Sequence, residues 1–333
     1  MLLPERLLAL KGRLMNVHIP SGEPPIFLFS APRSGSTWLL ELLSLEPGLK
    51  VYNEPDSLSK PATRRELGVS DWASATMLSG REQIYERYFR RLLANQVPEL
   101  NYPFYRRMGR FLTHRVAFKI LHGGEDMVAW FAETFAAKIL ILVRHPIPTA
   151  LSHEHFPRLP YLLGQEAIRR RLTAEQCRLT ENAIESGNHL EKGIVSWCLH
   201  YVFMVGPHRH PEWCVLFYED LVTRTTESTR YLSKNMELRG ADRMLKFMDR
   251  PSLSTYASAR KMFEARPKDG TRANSQILIG RWTTKVDPAA ERRAFEVLDA
   301  FGIDLYQFGS TTPRECYRVP ADVPPGGQTA CAQ

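Results

Sequence analysis

The chain has 333 residues, 44% of them hydrophobic, enough to bury the core of one large α/β domain or two smaller ones. A formal net charge of +8 suits a polyanionic ligand, but the basic runs lack zinc-finger spacing or RNA-binding aromatics, so no nucleic-acid partner is expected. Five cysteines without a Cys-x-x-Cys pair argue against a disulfide framework, and no apolar stretch is long enough to span a bilayer.

Residues 1 to 24 read as a short amphipathic segment followed by a Ser-Gly-Glu-Pro-Pro linker. The apolar run is too short and too charged for a signal peptide, which predicts a soluble, reduced, cytoplasmic protein. Ile26, Phe27, Leu28 and Phe29 then have the β character of a buried strand, and Trp38 to Leu43 carry apolar residues on helical spacing. Between them runs Pro-Arg-Ser-Gly-Ser-Thr. Gly35 permits a tight turn, while backbone N–H groups, the hydroxyls of Ser34, Ser36 and Thr37, and the positive end of the new helix converge on one point. Arg33 adds a permanent charge, so that point is expected to hold a phosphate or sulfate ester. A nucleoside-triphosphate loop of the GxxxxGK[ST] type would carry a lysine that is missing here.

Residues 57 to 113 are mostly helical in pattern, with Arg81 to Phe89 clearly amphipathic, and read as an insertion after the first strand–helix–strand unit. Strands follow near 115 to 121 and at Lys138 to Val143, the second ending in Arg144-His145-Pro146. Ser152 stands eight residues past Arg144. An arginine at the carboxyl end of a strand and a serine on the next helix can address one oxygen cluster, where open α/β sheets take their ligands. A second insertion, 157 to 195, is predicted to form loop and helices, with Tyr161, Leu162 and Leu163 in a lid. A helix from about 194 to 206 leads to a strand at 213 to 218, whose Tyr218-Glu219-Asp220 turn is predicted to cap the following helix. After about Met248 the pattern is irregular until a helix from Pro288 to Phe301, and 319 to 333 read as a loose tail.

The two strand-end motifs together resemble the sulfotransferase family, whose members use 3'-phosphoadenosine 5'-phosphosulfate (PAPS) and release its desulfated product, PAP. The resemblance implies an α/β fold, a central mostly parallel sheet flanked by helices with a P-loop-like 5'-phosphosulfate loop, in a single domain over 1–318. It implies that Arg33, Ser34, Gly35, Ser36 and Thr37 hold the 5' end of the donor and Arg144 and Ser152 its 3'-phosphate. Trp38 and Tyr218 would pack on adenine. No metal is required.

Two bases are implied for the acceptor hydroxyl. Glu54, twenty-one residues after Arg33, resembles the catalytic glutamate of sugar and tyrosyl sulfotransferases, and partial burial would suit it to the task. His122 is similar to the histidine of cytosolic members, but Lys119-Ile-Leu-His122 is one residue longer than Lys-Thr-His, and such a shift reverses a strand residue's facing. Glu54 ranks first. The family's Arg-Lys-Gly triplet is absent before Trp282, with Arg272 or Arg281 as substitutes. The acceptor is a small-molecule or carbohydrate hydroxyl, and His153, His155 and Phe156 are candidates for its pocket. The alternatives are a kinase of similar fold and a non-catalytic protein that binds PAPS or PAP.

Overall fold

The computed structural model describes residues 5–69, 80–100, 111–121, 127–156, 158–205, 210–248, 252 and 279–319. Its strands are β1 (Val17–His18), β2 (Ile26–Ser30), β3 (Leu49–Asn53), β4 (Leu112–Thr113), β5 (Arg115–Ile120), β6 (Lys138–Val143) and β7 (Cys214–Phe217). Five of them form one sheet in the order β3-β5-β2-β6-β7, and every pairing in it is parallel. The small β1–β4 ladder, absent from the sequence reading, pairs Val17 with Leu112.

The apolar runs become strands because both faces of the sheet are covered. Successive side chains of a strand point to opposite faces, and the two faces of β2 enter different cores. Phe27 and Phe29 join an aromatic core in which Phe27 lies 4.6 Å from Phe131 and 4.8 Å from Phe118. Ile26 and Leu28 pack with Leu39, Leu40 and Leu43 of the helix Ser36–Leu43. Parallel pairing sends the carboxyl ends of all five strands to one side. From β2 the chain crosses past β5 to β3, so its neighbours β5 and β6 flank a topological switch point there.

The insertions are mostly helical where described, with Pro61–Leu67 and Glu82–Leu93 in the first and Ala174–Ser186 in the second, but the first ends in the short strand β4. Leu162 and Leu163 are buried and only Tyr161 of the expected lid residues is exposed. The helix expected from about 194 begins at His189. Asn188 and Glu191 cap it reciprocally, each backbone N–H donating to the other's side chain at 2.9 and 3.0 Å. Val319 is buried and donates to Asp220 at 3.2 Å, while 320 to 333 lie outside the described residues. Cys177, Cys198 and Cys214 are free, but Cys316 is disulfide-bonded, so the expectation of a wholly reduced chain fails there. Among the described residues no helix is long and apolar enough to cross a membrane.

Candidate active site

The loop leaving β2 is conformationally unusual. Arg33 has φ 69° and Gly35 φ 90°, both left-handed. Such a backbone strains any residue with a Cβ, and strain of this kind concentrates at functional sites. Gly35 is needed twice, since a Cβ there would also lie 2.7 Å from Tyr218 Cδ2. Beneath the loop the Tyr201 hydroxyl donates to the Leu142 carbonyl at 2.6 Å, accepts from the Ala31 N–H at 2.9 Å and lies 3.3 Å from Ser34 Oγ. Ser34 is fully buried, so its hydroxyl belongs to the loop's foundation. The Arg33 side chain is exposed, Ser36 is buried and Thr37 and Trp38 are half-buried.

Lys119 lies near the end of β5, where it is 2% exposed. Its Nζ donates to Thr37 Oγ1 at 2.9 Å, Asn53 Oδ1 at 3.0 Å and Glu54 Oε1 at 2.7 Å. A buried ammonium needs such partners, and here they join the anion loop to the residue just past β3. Glu54 is itself left-handed, with φ 50°, and its side chain is 31% exposed. Lys60 Nζ donates to the Asn53 and Glu54 carbonyls, the latter at 2.8 Å, and holds that turn from the other side. Desolvation, then the Glu54 charge, pushes the neighbouring Asp56 carboxyl up to about 7.

The second motif meets the first. Arg144 Nη1 donates to the Arg33 carbonyl at 3.0 Å, and the guanidinium stands 4.5 Å from the Tyr218 ring centroid. Trp38 meets the same ring edge-on at 6.0 Å. Under Arg144 the chain is held by buried polar groups. Trp197 Nε1 donates to the Arg144 carbonyl at 3.0 Å, and Glu219 accepts from the His145 N–H and the Tyr306 hydroxyl, each at 2.9 Å. His145 stacks on Trp282 at 4.6 Å. Burial pushes the Glu219 carboxyl up to about 7 and the His145 imidazole down to about 3.

Arg33, Gly35, Trp38, Arg144 and Tyr218 are thus brought together by contacts around the Tyr218 ring and the Arg33 carbonyl, while Thr37 and Glu54 are joined through Lys119. Ser152 ends the helix Pro146–Leu151, its hydroxyl donating back to Thr149 O at 3.0 Å. His122 and Arg272 lie outside the described residues, and Arg281 is exposed on a short 3-10 turn. His153 stacks on Phe156 at 5.0 Å, and burial first, then the charges of Arg33 and His189, lower its pKa. Glu219 and Asp220 stand in the first turn of the helix Tyr218–Thr223, where acidic residues were expected. Their carboxylates also take distant partners that the sequence reading did not foresee, Glu219 accepting from His145 and Tyr306 and Asp220 pairing with Arg318 at 2.6 Å.

Lys119, Lys60 and Tyr201 were missed as site residues. Lys119 left a signal, a charge inside the apolar run Val116 to Ile120. Tyr201 left none, since its helix is apolar nearly all round.

A family model described as the sulfotransferase domain matches residues 23–300. Solved structures that resemble the chain include the sulfotransferase domain of the Synechococcus PCC 7002 olefin synthase, 18% identical over 87% of this chain and 98% of that one, TM-score 0.47. The sulfotransferase domain from the curacin biosynthetic pathway is 16% identical over 87% and 100%, TM-score 0.43. Mouse sulfotransferase SULT7A1 complexed with PAP is 14% identical over 87% of each chain, TM-score 0.39. No curated protein matches the sequence.

Proposed function

The chain belongs to the sulfotransferase domain family, and from that premise we propose that it moves a sulfuryl group from PAPS to the hydroxyl of a small molecule or carbohydrate, releasing PAP. The residues fit such a donor. Gly35 keeps the loop free of a Cβ, Thr37 offers a hydroxyl at the start of a helix, and Arg33, Arg144 and Lys119 supply cations around it. Arg33 and Thr37 would hold the 5' end, Arg144 and Ser152 the 3'-phosphate, and Trp38 and Tyr218 the adenine. When bound, PAPS supplies an electrophilic sulfur and a bisphosphate leaving group.

Glu54 removes the proton from the attacking acceptor oxygen, and its carboxylate is oriented for that by Lys119 at 2.7 Å. Lys119 also bonds Thr37, so positive charge stands between the base and the anion loop, where negative charge grows as the leaving oxygen departs. Arg33 adds to that stabilisation from the loop's exposed side. The observation that carries this reading is the single ammonium of Lys119 bonded to both Thr37 and Glu54.

Incubation with radiolabelled PAPS and a panel of sugars, alkyl alcohols and phenols tests it. Label is expected on at least one hydroxyl class. Failure across the panel together with Mg²⁺-dependent ATP turnover would replace the reading with a kinase.

A further inference from the structure

Among the described residues nine large hydrophobic side chains are exposed, and seven of them occur in one place, the amino-terminal helix and the β1–β4 ladder that follows it. Helix Glu5–Met15 presents Leu7, Leu10 and Leu14, which are 49%, 56% and 69% exposed. On a 3.6-residue period these three share a face, while Gly12 is buried on another. The chain continues directly into β1, where Val17 and then Ile19 are also exposed. The Val17 N–H donates to the carbonyl of Phe111, whose side chain is 68% exposed, and Leu112, 46% exposed, pairs with Val17 across the ladder. A concentrated apolar surface of this kind marks an interaction site more often than scattered exposed residues do.

We propose that this face docks the protein onto an anionic phospholipid surface. Charge selects that occupant. Lys11 and Arg13 are exposed and stand on opposite flanks of the leucine stripe, where their stems can lie along a lipid boundary with the charges at headgroup level. No aspartate or glutamate occurs from Arg6 to Gly22, nor in Phe111 to His114. A second copy of the chain would bring like charges together across this face, whereas anionic headgroups neutralise them.

The location suits a docking role. β4 runs into β5, and His114 bonds Gly48 just ahead of β3, so the patch sits at the amino ends of the parallel strands. The anion loop and Glu54 lie past the carboxyl ends, and docking leaves them open to solvent. The inference does not depend on the sulfuryl-transfer reading.

Co-sedimentation of the full chain with vesicles of equal parts phosphatidylcholine and phosphatidylglycerol, against phosphatidylcholine alone, tests it. The wild type is expected to partition at least roughly tenfold more strongly onto the anionic vesicles and to be released by salt. Leu10→Ser with Leu14→Ser, and separately Arg13→Glu, should each remove most of that binding with an unchanged melting temperature, because these side chains are exposed. Equal binding to both vesicle types, or retention by the leucine variant, overturns the proposal. So does analytical ultracentrifugation that finds a dimer dissociated by the same leucine substitutions, which would assign the face to a second copy.

Discussion

Two loops leave the carboxyl ends of neighbouring strands, and they are held in place by different means. The loop after β2 carries two left-handed residues, Arg33 and Gly35, and rests on one phenol, Tyr201. The loop after β6 has no left-handed residue and stands on Trp197, Glu219, Tyr306 and the stacked pair His145–Trp282. The first holds strain and places groups that can act on a ligand, while the second is a foundation that sets one arginine against the first. Chemistry and stability are therefore expected to respond to different substitutions.

Glu54→Gln tests the active side most severely. It keeps the shape of the turn but removes the proton acceptor, and turnover should fall roughly 10²- to 10⁴-fold while PAP affinity changes little. Equal loss of turnover and affinity would mean that Glu54 positions the donor instead. Arg33→Ala comes next. The exposed side chain contributes little to folding, so turnover should fall about 10²- to 10³-fold with a near-normal melting temperature.

Tyr201→Phe sharpens the contrast by attacking the first loop from below. It leaves the Ala31 N–H and the Leu142 carbonyl without their buried partner, and urea denaturation should show a loss of about 1–3 kcal/mol. An unchanged midpoint would mean that the loop does not depend on the phenol.

Glu219→Gln probes the second loop's foundation and acts through pH. With its pKa raised from 4.5 to about 7, native Glu219 keeps a proton that the unfolded chain has released, so the stability it contributes at low pH is lost as pH rises through that window. His145, lowered from 6.5 to about 3, works with the opposite sign and masks much of the trend between 4.5 and 6.5. Glutamine removes only the first effect. The variant's stability relative to wild type should therefore rise by about 3 kcal/mol between pH 4.5 and 7, and thermal melts at the two ends measure it. A flat difference would contradict the raised pKa.

The foundation was much harder to read from sequence than the loop it supports. Strands announced themselves as apolar runs because both faces are buried. Lys138 to Val143 matches its expected limits, β2 and β5 each differ by one residue at the carboxyl end, β7 is one residue shorter at both ends than the expected 213 to 218, and β1 and β4 were not expected at all. Gly35, Arg33 and Arg144 were legible because turn chemistry and strand-end charge are local properties. Glu219 and Asp220 read as helix caps by local rules, yet their partners His145, Tyr306 and Arg318 lie far along the chain, where no periodicity points. Lys119 was visible as a charge in a buried strand, but the joining of Thr37 to Glu54 depends on the order β3-β5-β2, which spacing does not reveal.

Calorimetric titration with PAP tests most directly whether the two loops form one donor site. Wild-type protein should bind one equivalent, and Arg33→Ala and Arg144→Ala should each weaken that binding at least about tenfold. No heat with the wild type, or loss with one variant and full affinity with the other, would contradict a single site spanning both loops.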